Sequence, residues 1–332
     1  MNIGRPRPAL VLFLLSSLIG ELLSGSAPPV EFFTPFGLLI LLSLYGGGAL
    51  VARELRVRWG KGIASLLLIG AAYAVLEEGL MVASFFNPAW PDLGQMAVYG
   101  RWLGVNWVWS VMLTIYHSVY SITIPVLLVE LAYPKRRNES WLGDRMFRRV
   151  LALLGFVVVL GLVLFSMELG YWPPAPQYAL SILAMFVLGY WAYRLPTGWG
   201  GGGSRPLPGT RRMWLLGTAG AFAFFVGLGL LPDLVPVWQA GILFGPLLVL
   251  LYLKLLRGYR WEGPYDRQVL AIVAGLLMFF ILTSPVQEFD ATRPDNTSGM
   301  TLVGFAALVL LLALKRRVWA RTGDAVQTGD TS

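Results

Sequence analysis

Apolar residues run along this chain in long blocks, separated by short stretches rich in arginine, lysine, proline and glycine. Ten blocks stand out, at roughly 8–26, 36–52, 62–86, 103–133, 148–168, 177–194, 213–231, 235–256, 267–284 and 299–316. They are continuous rather than alternating, and most approach the roughly 18–20 residues needed to cross about 30 Å of hydrocarbon. A transmembrane strand would read as about ten alternating residues, so the blocks predict helices. The expected fold is an all-α, polytopic transmembrane helical bundle of about ten spans.

The basic residues orient the bundle. With the N-terminus inside, Arg5 and Arg7 and five further clusters, at 53–61, 135–149, 194–212, 254–267 and 315–321, fall on the cytoplasmic side. These clusters hold 24 of the 26 Lys and Arg residues; Arg101 and Arg293 fall outside. Every second loop is basic, so the positive-inside rule supports the span number and an N-in/C-in orientation together. The expected location is the inner membrane, with both termini cytoplasmic. Acidic residues take the other side, among them Glu31, Asp92, Asp233, Glu288, Asp290 and Asp295. This reads either as acids accumulating where bases are excluded or as a field that attracts cations to an outward-facing vestibule.

Composition narrows the chemistry. Of 332 residues, 56% are hydrophobic and 13% charged, about half the charged share of a soluble domain. There is no cysteine, so disulfides, thiolate metal sites and cysteine nucleophiles are excluded. One histidine excludes any mechanism that needs two. The formal charge of +8 is spread over loops between spans and predicts no nucleic-acid partner. The expected organisation is N-terminal helices with a buried polar cluster (1–145), connecting helices (146–197), a Gly-rich cytoplasmic linker (198–212), apolar C-terminal helices (213–318) and a cytoplasmic tail (319–332). The first apolar block is expected to be a retained helix rather than a cleaved signal peptide, since Pro28 and Pro29 would follow the cut.

A carboxylate at mid-bilayer costs about 2.5–3.5 kcal/mol on insertion scales, so acids inside spans point to function. Glu77 and Glu78 sit side by side in the third block. Helical neighbours point about 100° apart, so the two are expected to play separate roles. Tyr73 lies one turn before Glu77. In the fourth block Asn106, Ser110, Thr114, His117 and Ser121 recur at helical spacing and form one polar stripe, expected to face the Glu77–Glu78 helix. Ser17, Glu21 and Ser24 make a third polar face, and Gly46, Gly47 and Gly48 allow close helix approach. The catalytic candidates are therefore Glu77, Glu78 and His117. The substrate-binding candidates are Glu21, Tyr73, Asn106, Ser110 and Thr114, and His117 with Glu77 are candidate ligands for a divalent metal. The loop 85–94 reads equally as a lid and as an interfacial aromatic belt. Trp102, Trp107 and Trp109 read likewise, while Arg53, Glu54 and Arg56 read as ordinary interface anchors.

Two resemblances follow from these residues. Gly20-Glu21-Leu22-Leu23-Ser24-Gly25-Ser26, Tyr45-Gly46-Gly47-Gly48, the Glu-Glu helix and Tyr116-His117 resemble an uncharacterised family of polytopic prokaryotic membrane proteins, over about the first 145 residues. An adjacent Glu-Glu in one membrane helix with a His in the next is also similar to the CPBP group of intramembrane proteases, which includes CAAX prenyl endopeptidases. That resemblance implies a glutamate that activates water, with His117 as its partner. This chain departs from that pattern: Val82 stands at the group's arginine position, Leu113 at its phenylalanine position, and the second histidine is missing. Three functions remain open: an intramembrane hydrolase, a proton- or cation-coupled transporter, and a non-catalytic membrane scaffold. The expected partners are membrane lipids and a membrane-embedded peptide, lipid or cation.

Overall fold

A computed structural model describes residues 7–197 and 202–327. Arg5 and the centre of the Gly-rich linker, 198–201, lie outside the described residues. Ten helices fall on the ten apolar blocks. They are α1 (Pro8–Leu23), α2 (Pro35–Arg58), α3 (Ile63–Met81), α4 (Trp107–Ala132), α5 (Asp144–Glu168), α6 (Ala175–Arg194), α7 (Thr210–Leu234), α8 (Trp238–Arg257), α9 (Asp266–Glu288) and α10 (Met300–Gln327). The protein is thus a helical polytopic membrane bundle. Among the described residues, eight helices, α2 to α9, are long and apolar enough to cross a bilayer by length and composition, where about ten spans were expected. The other two fall short for different reasons. α1 has ten α-helical and six π-helical residues, and the apolar run of α10 meets three cations at Lys315–Arg317.

The helices differ in what they face. The most apolar window of α3 is 72% buried in the protein and that of α4 is 61%, whereas those of α6 and α8 are each 11% buried. The centre of the molecule is therefore α1 to α4, and the outer helices turn large apolar side chains toward lipid. α5 and α6 pack on α2 and α3, while α9 and α10 pack on α1 and α4. α7 lies against α9, and α8 bridges α7 and α4.

Small residues set the closest crossings. A side chain on Gly217 or Gly275 would meet the partner helix backbone at 2.3 or 2.2 Å, so α7 and α9 touch main chain to main chain. α3 and α4 do the same at Gly70, where a Cβ would stand 2.8 Å from Ser118 Cα. Ser118 Oγ reinforces that crossing by donating to Leu67 O at 2.6 Å. This crossing lies beside His117 on α4 and two turns before Glu77 on α3, and it brings the two spans into register.

Between α3 and α4 the chain forms a packed cap. Phe85, Phe86, Leu93 and Met96 are buried against Val108 and Trp109. A two-by-two antiparallel hairpin, Arg101–Trp102 with Val105–Asn106, leads into α4. Asn106 N–H donates to Phe85 O at 2.9 Å, and Arg101 Nη2 to Phe86 O at 2.7 Å. Trp102 and Trp107 are exposed like belt residues, but Trp109 is buried.

Candidate functional site

Four central helices leave α geometry at one place each. Leu18–Leu23 in α1, Leu42–Gly46 in α2, Val75–Met81 in α3 and His117–Thr123 in α4 are π-helical. Such segments are rare and occur often at functional positions. Here they carry Glu21, Tyr45, the Glu77–Glu78 pair, and His117 with Ser121. The π turn also corrects the expected separation of roles. Its wider coil lets both glutamates reach one imidazole.

His117 Nε2 lies 2.9 Å from Glu78 Oε1, and Nδ1 lies 3.2 Å from Glu77 Oε2. Nδ1 is also 2.9 Å from Ser121 Oγ. All three ionisable side chains are buried, with 4% of Glu77, 8% of Glu78 and 2% of His117 exposed. Glu78 is held from its other side by the Ser84 hydroxyl, which donates to Oε2. Ser84 in turn accepts from Trp109 Nε1 at 3.1 Å. The backbone makes this return possible at Ala83, where φ is +53°, a region that residues with a Cβ rarely occupy. It turns the chain back immediately after α3.

Glu21 joins through Tyr45, whose hydroxyl donates to its Oε1. The Tyr45 ring lies 6.0 Å from the His117 ring and the Tyr73 ring 6.2 Å, centre to centre. Glycines admit these rings. A Cβ on Gly48 would stand 2.1 Å from Tyr73 Cε2, and one on Gly20 2.7 Å from Tyr45 Cε1. Glu77 Oε2 and the Tyr73 hydroxyl are both buried without a well-formed hydrogen bond.

The rest of the α4 stripe lies elsewhere. Asn106 caps the helix by accepting from Trp109 N–H at 2.9 Å. Ser110 and Thr114 donate to the carbonyls four residues back, Asn106 O at 2.6 Å and Ser110 O at 2.7 Å. Membrane hydroxyls commonly bond their own backbone in this way. Of the polar stripe, only His117 and Ser121 enter the cluster. Tyr45, Ser84 and Trp109 were missed as cluster members. Ser84 had no signal in helical spacing, because the contact depends on the turn at Ala83.

The cluster offers one ligand atom each from Glu77, Glu78 and His117, all within 4.8 Å of one another, and these residues could hold a cation. Its other capacity is proton storage. With Glu78 ionised, Nε2–H donates to it. Nδ1 then accepts from Ser121 when the ring is neutral and donates when the ring is charged.

A second buried charge cluster lies at the basic end of the same helices. Arg53 and Glu54 are each 0% exposed, which corrects their reading as interface anchors. Arg53 Nη1 donates to Glu54 at 2.9 Å and to Glu139 O at 2.6 Å, and Nη2 donates to Arg137 O at 2.8 Å. Its guanidinium lies 3.6 Å over the Trp141 ring. Glu130 of α4 is paired with Arg53 at 3.4 Å and with Arg56. Glu54 also accepts from Trp141 N–H at 2.8 Å and from the Ser140 hydroxyl. The cluster ties α2 and α4 to the loop 134–143.

Fold and site together define a polytopic helical membrane protein with an ionisable Glu/His cluster inside its bundle. The chain belongs to an uncharacterised membrane protein family, whose family model matches residues 10–320, well beyond the expected first 145. It is similar to an uncharacterised protein of Archaeoglobus fulgidus, 29% identical over 126 residues. That match spans 37% of this chain and 38% of the relative. No solved structure matches. The resemblance to intramembrane proteases is not confirmed by these matches.

Proposed function

We propose that this protein is a proton- or cation-coupled membrane transporter, and that Glu77, Glu78 and His117 form its coupling site. The observation that carries the reading is the imidazole flanked by a carboxylate at each ring nitrogen, 2.9 and 3.2 Å away, inside the bundle. Ionisable groups buried among membrane helices mark proton relays and ion paths, because their burial is otherwise unfavourable. A single proton redistributes the bonds of this cluster. Glu78 contacts both His117 and Ser84, and His117 also reaches Glu77 and Ser121, so a proton gained or lost within this set changes all of these contacts. A cation bound at Glu77 and Glu78 would do the same by replacing the proton. Glu21 and Tyr45 extend the cluster to α1 and α2, so a change of charge is felt by all four central helices.

The orientation proposed with this reading has both termini in the cytoplasm of an inner-membrane protein, from the 24 basic residues assigned to alternate loops. The cluster then sits toward the outer leaflet, below loops rich in acids that attract cations. The hydrolase reading keeps one observation, the Glu77 oxygen with no well-formed hydrogen bond. It would act there as a base on water.

The test is flux in proteoliposomes with a trapped pH indicator, challenged with pH steps and with sodium, potassium, magnesium or manganese gradients. Wild-type protein should move protons in response to at least one gradient, and Glu78→Gln and His117→Gln should abolish it. Flux equal to that of empty liposomes under every gradient would sink the transporter reading. Cleavage of a membrane-embedded peptide that is lost in Glu77→Gln would replace it with the hydrolase.

A further inference from the structure

Away from the Glu/His cluster, the ends of α7 and α8 and the segment before α7 line an open cavity of about 540 Å³. Its lining divides by chemistry. Arg205, Arg212 and Tyr259 are its polar lining, and Met213, Leu216 and Leu255 are among its apolar lining. The strap before α7 is built against the end of α8. Arg205 N–H donates to Gly258 O at 3.1 Å, and Arg260 N–H returns a bond to Arg205 O at 2.8 Å. Gly203 lies so close that a Cβ would meet Gly258 C at 2.2 Å. The Arg205 guanidinium stacks 4.9 Å from the Tyr259 ring centre.

Its charges are lightly used. Two side-chain bonds of Arg205, to Gly258 O and Leu255 O, are both 3.4 Å long. Arg212 is exposed and makes no hydrogen bond among the described residues. Segments 202–216 and 252–262 together hold six Lys and Arg residues and one acid, Glu262. Trp261 packs in the cluster around Met213. Beyond the cavity, Leu215 on α7 and Leu247, Leu250 and Leu251 on α8 are exposed on the bundle's outer surface.

We propose that this cavity is a binding site for an anionic phospholipid. The arginines take the phosphate, Met213, Leu216 and Leu255 take the start of the acyl chains, and the exposed leucines of α7 and α8 carry the chains into the bilayer. Basic pockets beside membrane helices recognise anionic headgroups in this way, with about 1 kcal/mol per cation near the surface. Guanidinium suits phosphate because its fork of donors matches two oxygens at once. The apolar lining distinguishes a lipid from free phosphate, which would find no use for it.

The experiment is native mass spectrometry of the full-length protein in detergent, titrated with phosphatidylglycerol, phosphatidylcholine or inorganic phosphate. Phosphatidylglycerol should be retained about tenfold more strongly than phosphatidylcholine, and millimolar phosphate should not displace it. The pair Arg205→Gln and Arg212→Gln should remove that preference. Arg316→Gln with Arg317→Gln, an equal loss of charge at exposed positions of α10, should keep it. Equal retention of both lipids by wild-type protein overturns the proposal, and so does displacement by phosphate. An equal loss in the Arg316/Arg317 pair would reduce the effect to general surface charge and overturns it too. The wild-type arms decide the matter even if the Arg205/Arg212 pair fails to fold.

Discussion

Replacing Arg53 with methionine tests how the basic end of the bundle is held. The side chain keeps an unbranched apolar stem and loses the guanidinium with its charge and donors. Arg53 donates to three backbone carbonyls, at 2.6, 2.8 and 3.2 Å, and to Glu54 at 2.9 Å, with Glu130 a further 3.4 Å away. Each bond to a charged donor is worth about 1.5–3 kcal/mol, though not additively. The main effect is on what remains. Glu54 is fully buried, and its other cation, Arg58, lies 3.4 Å off and partly in solvent. Breaking one partner from a buried pair costs roughly 3–5 kcal/mol, because the survivor stays buried and uncompensated. For a chain of 332 residues that is a drop in Tm of about 4–7 °C.

The assay is thermal unfolding in detergent followed by intrinsic fluorescence, since the chain has 13 tryptophans and no cysteine for a thiol dye. Arg53→Lys should recover only part of the loss, because an ammonium cannot reach three carbonyls and two carboxylates from one position. The double variant with Glu54→Gln should cost less than the two single changes summed, since the stranded charge is gone. A loss below about 1 kcal/mol, the range of exposed pairs, or strict additivity in the double variant, would refute the reasoning.

Other consequences can be checked in the same system. Gly48→Ala should displace the Tyr73 ring, which a Cβ would meet at 2.1 Å, and lower both Tm and flux; unchanged flux would separate Tyr73 from the site. Gly275→Ala should cost about 1–3 kcal/mol as overpacking, read as a Tm drop, because its Cβ would stand 2.2 Å from Trp214 O on α7. Ser84→Ala should leave Tm within a few degrees and still slow flux, since it frees one oxygen of Glu78 while Trp109 stays packed. In the loop after α9, hydrogen bonds from Arg293 hold the Asp295 carboxyl below its ordinary value of 3.8. A depressed acid stabilises the fold above its unfolded value and loses that contribution as pH falls through the folded one. Asp295→Asn should therefore lower Tm slightly at neutral pH, by no more than about 1 kcal/mol, and flatten the Tm profile below about pH 4.

The sequence made the helices and the pairing of α3 with α4 readable, and the reason is physical. Apolar blocks of bilayer length form helices whatever surrounds them, so all ten helices could be placed from hydropathy. The Glu77, Glu78 and His117 cluster was visible because ionisable residues inside a span are costly enough to stand out singly. What failed was the helical wheel itself. At 100° per residue, Glu77 and Glu78 diverge and Asn106, Ser110 and Thr114 share a face with His117. The π turns change the angle where the charged residues lie, and each extra residue in a turn re-aims everything beyond it. Asn106, Ser110 and Thr114 precede the π segment of α4 and bond their own helix, while His117 and Ser121 lie within it and meet α3. No residue pattern marks a π turn as hydropathy marks a span, because its extra residue is stabilised by neighbours on other helices. Glu54 and Arg53 escaped for a related reason. Their burial comes from the loop 134–143 folding over the end of α2, a contact some 80 residues away in the chain. The local pattern of charges at a helix end is the same whether that loop covers them or water does.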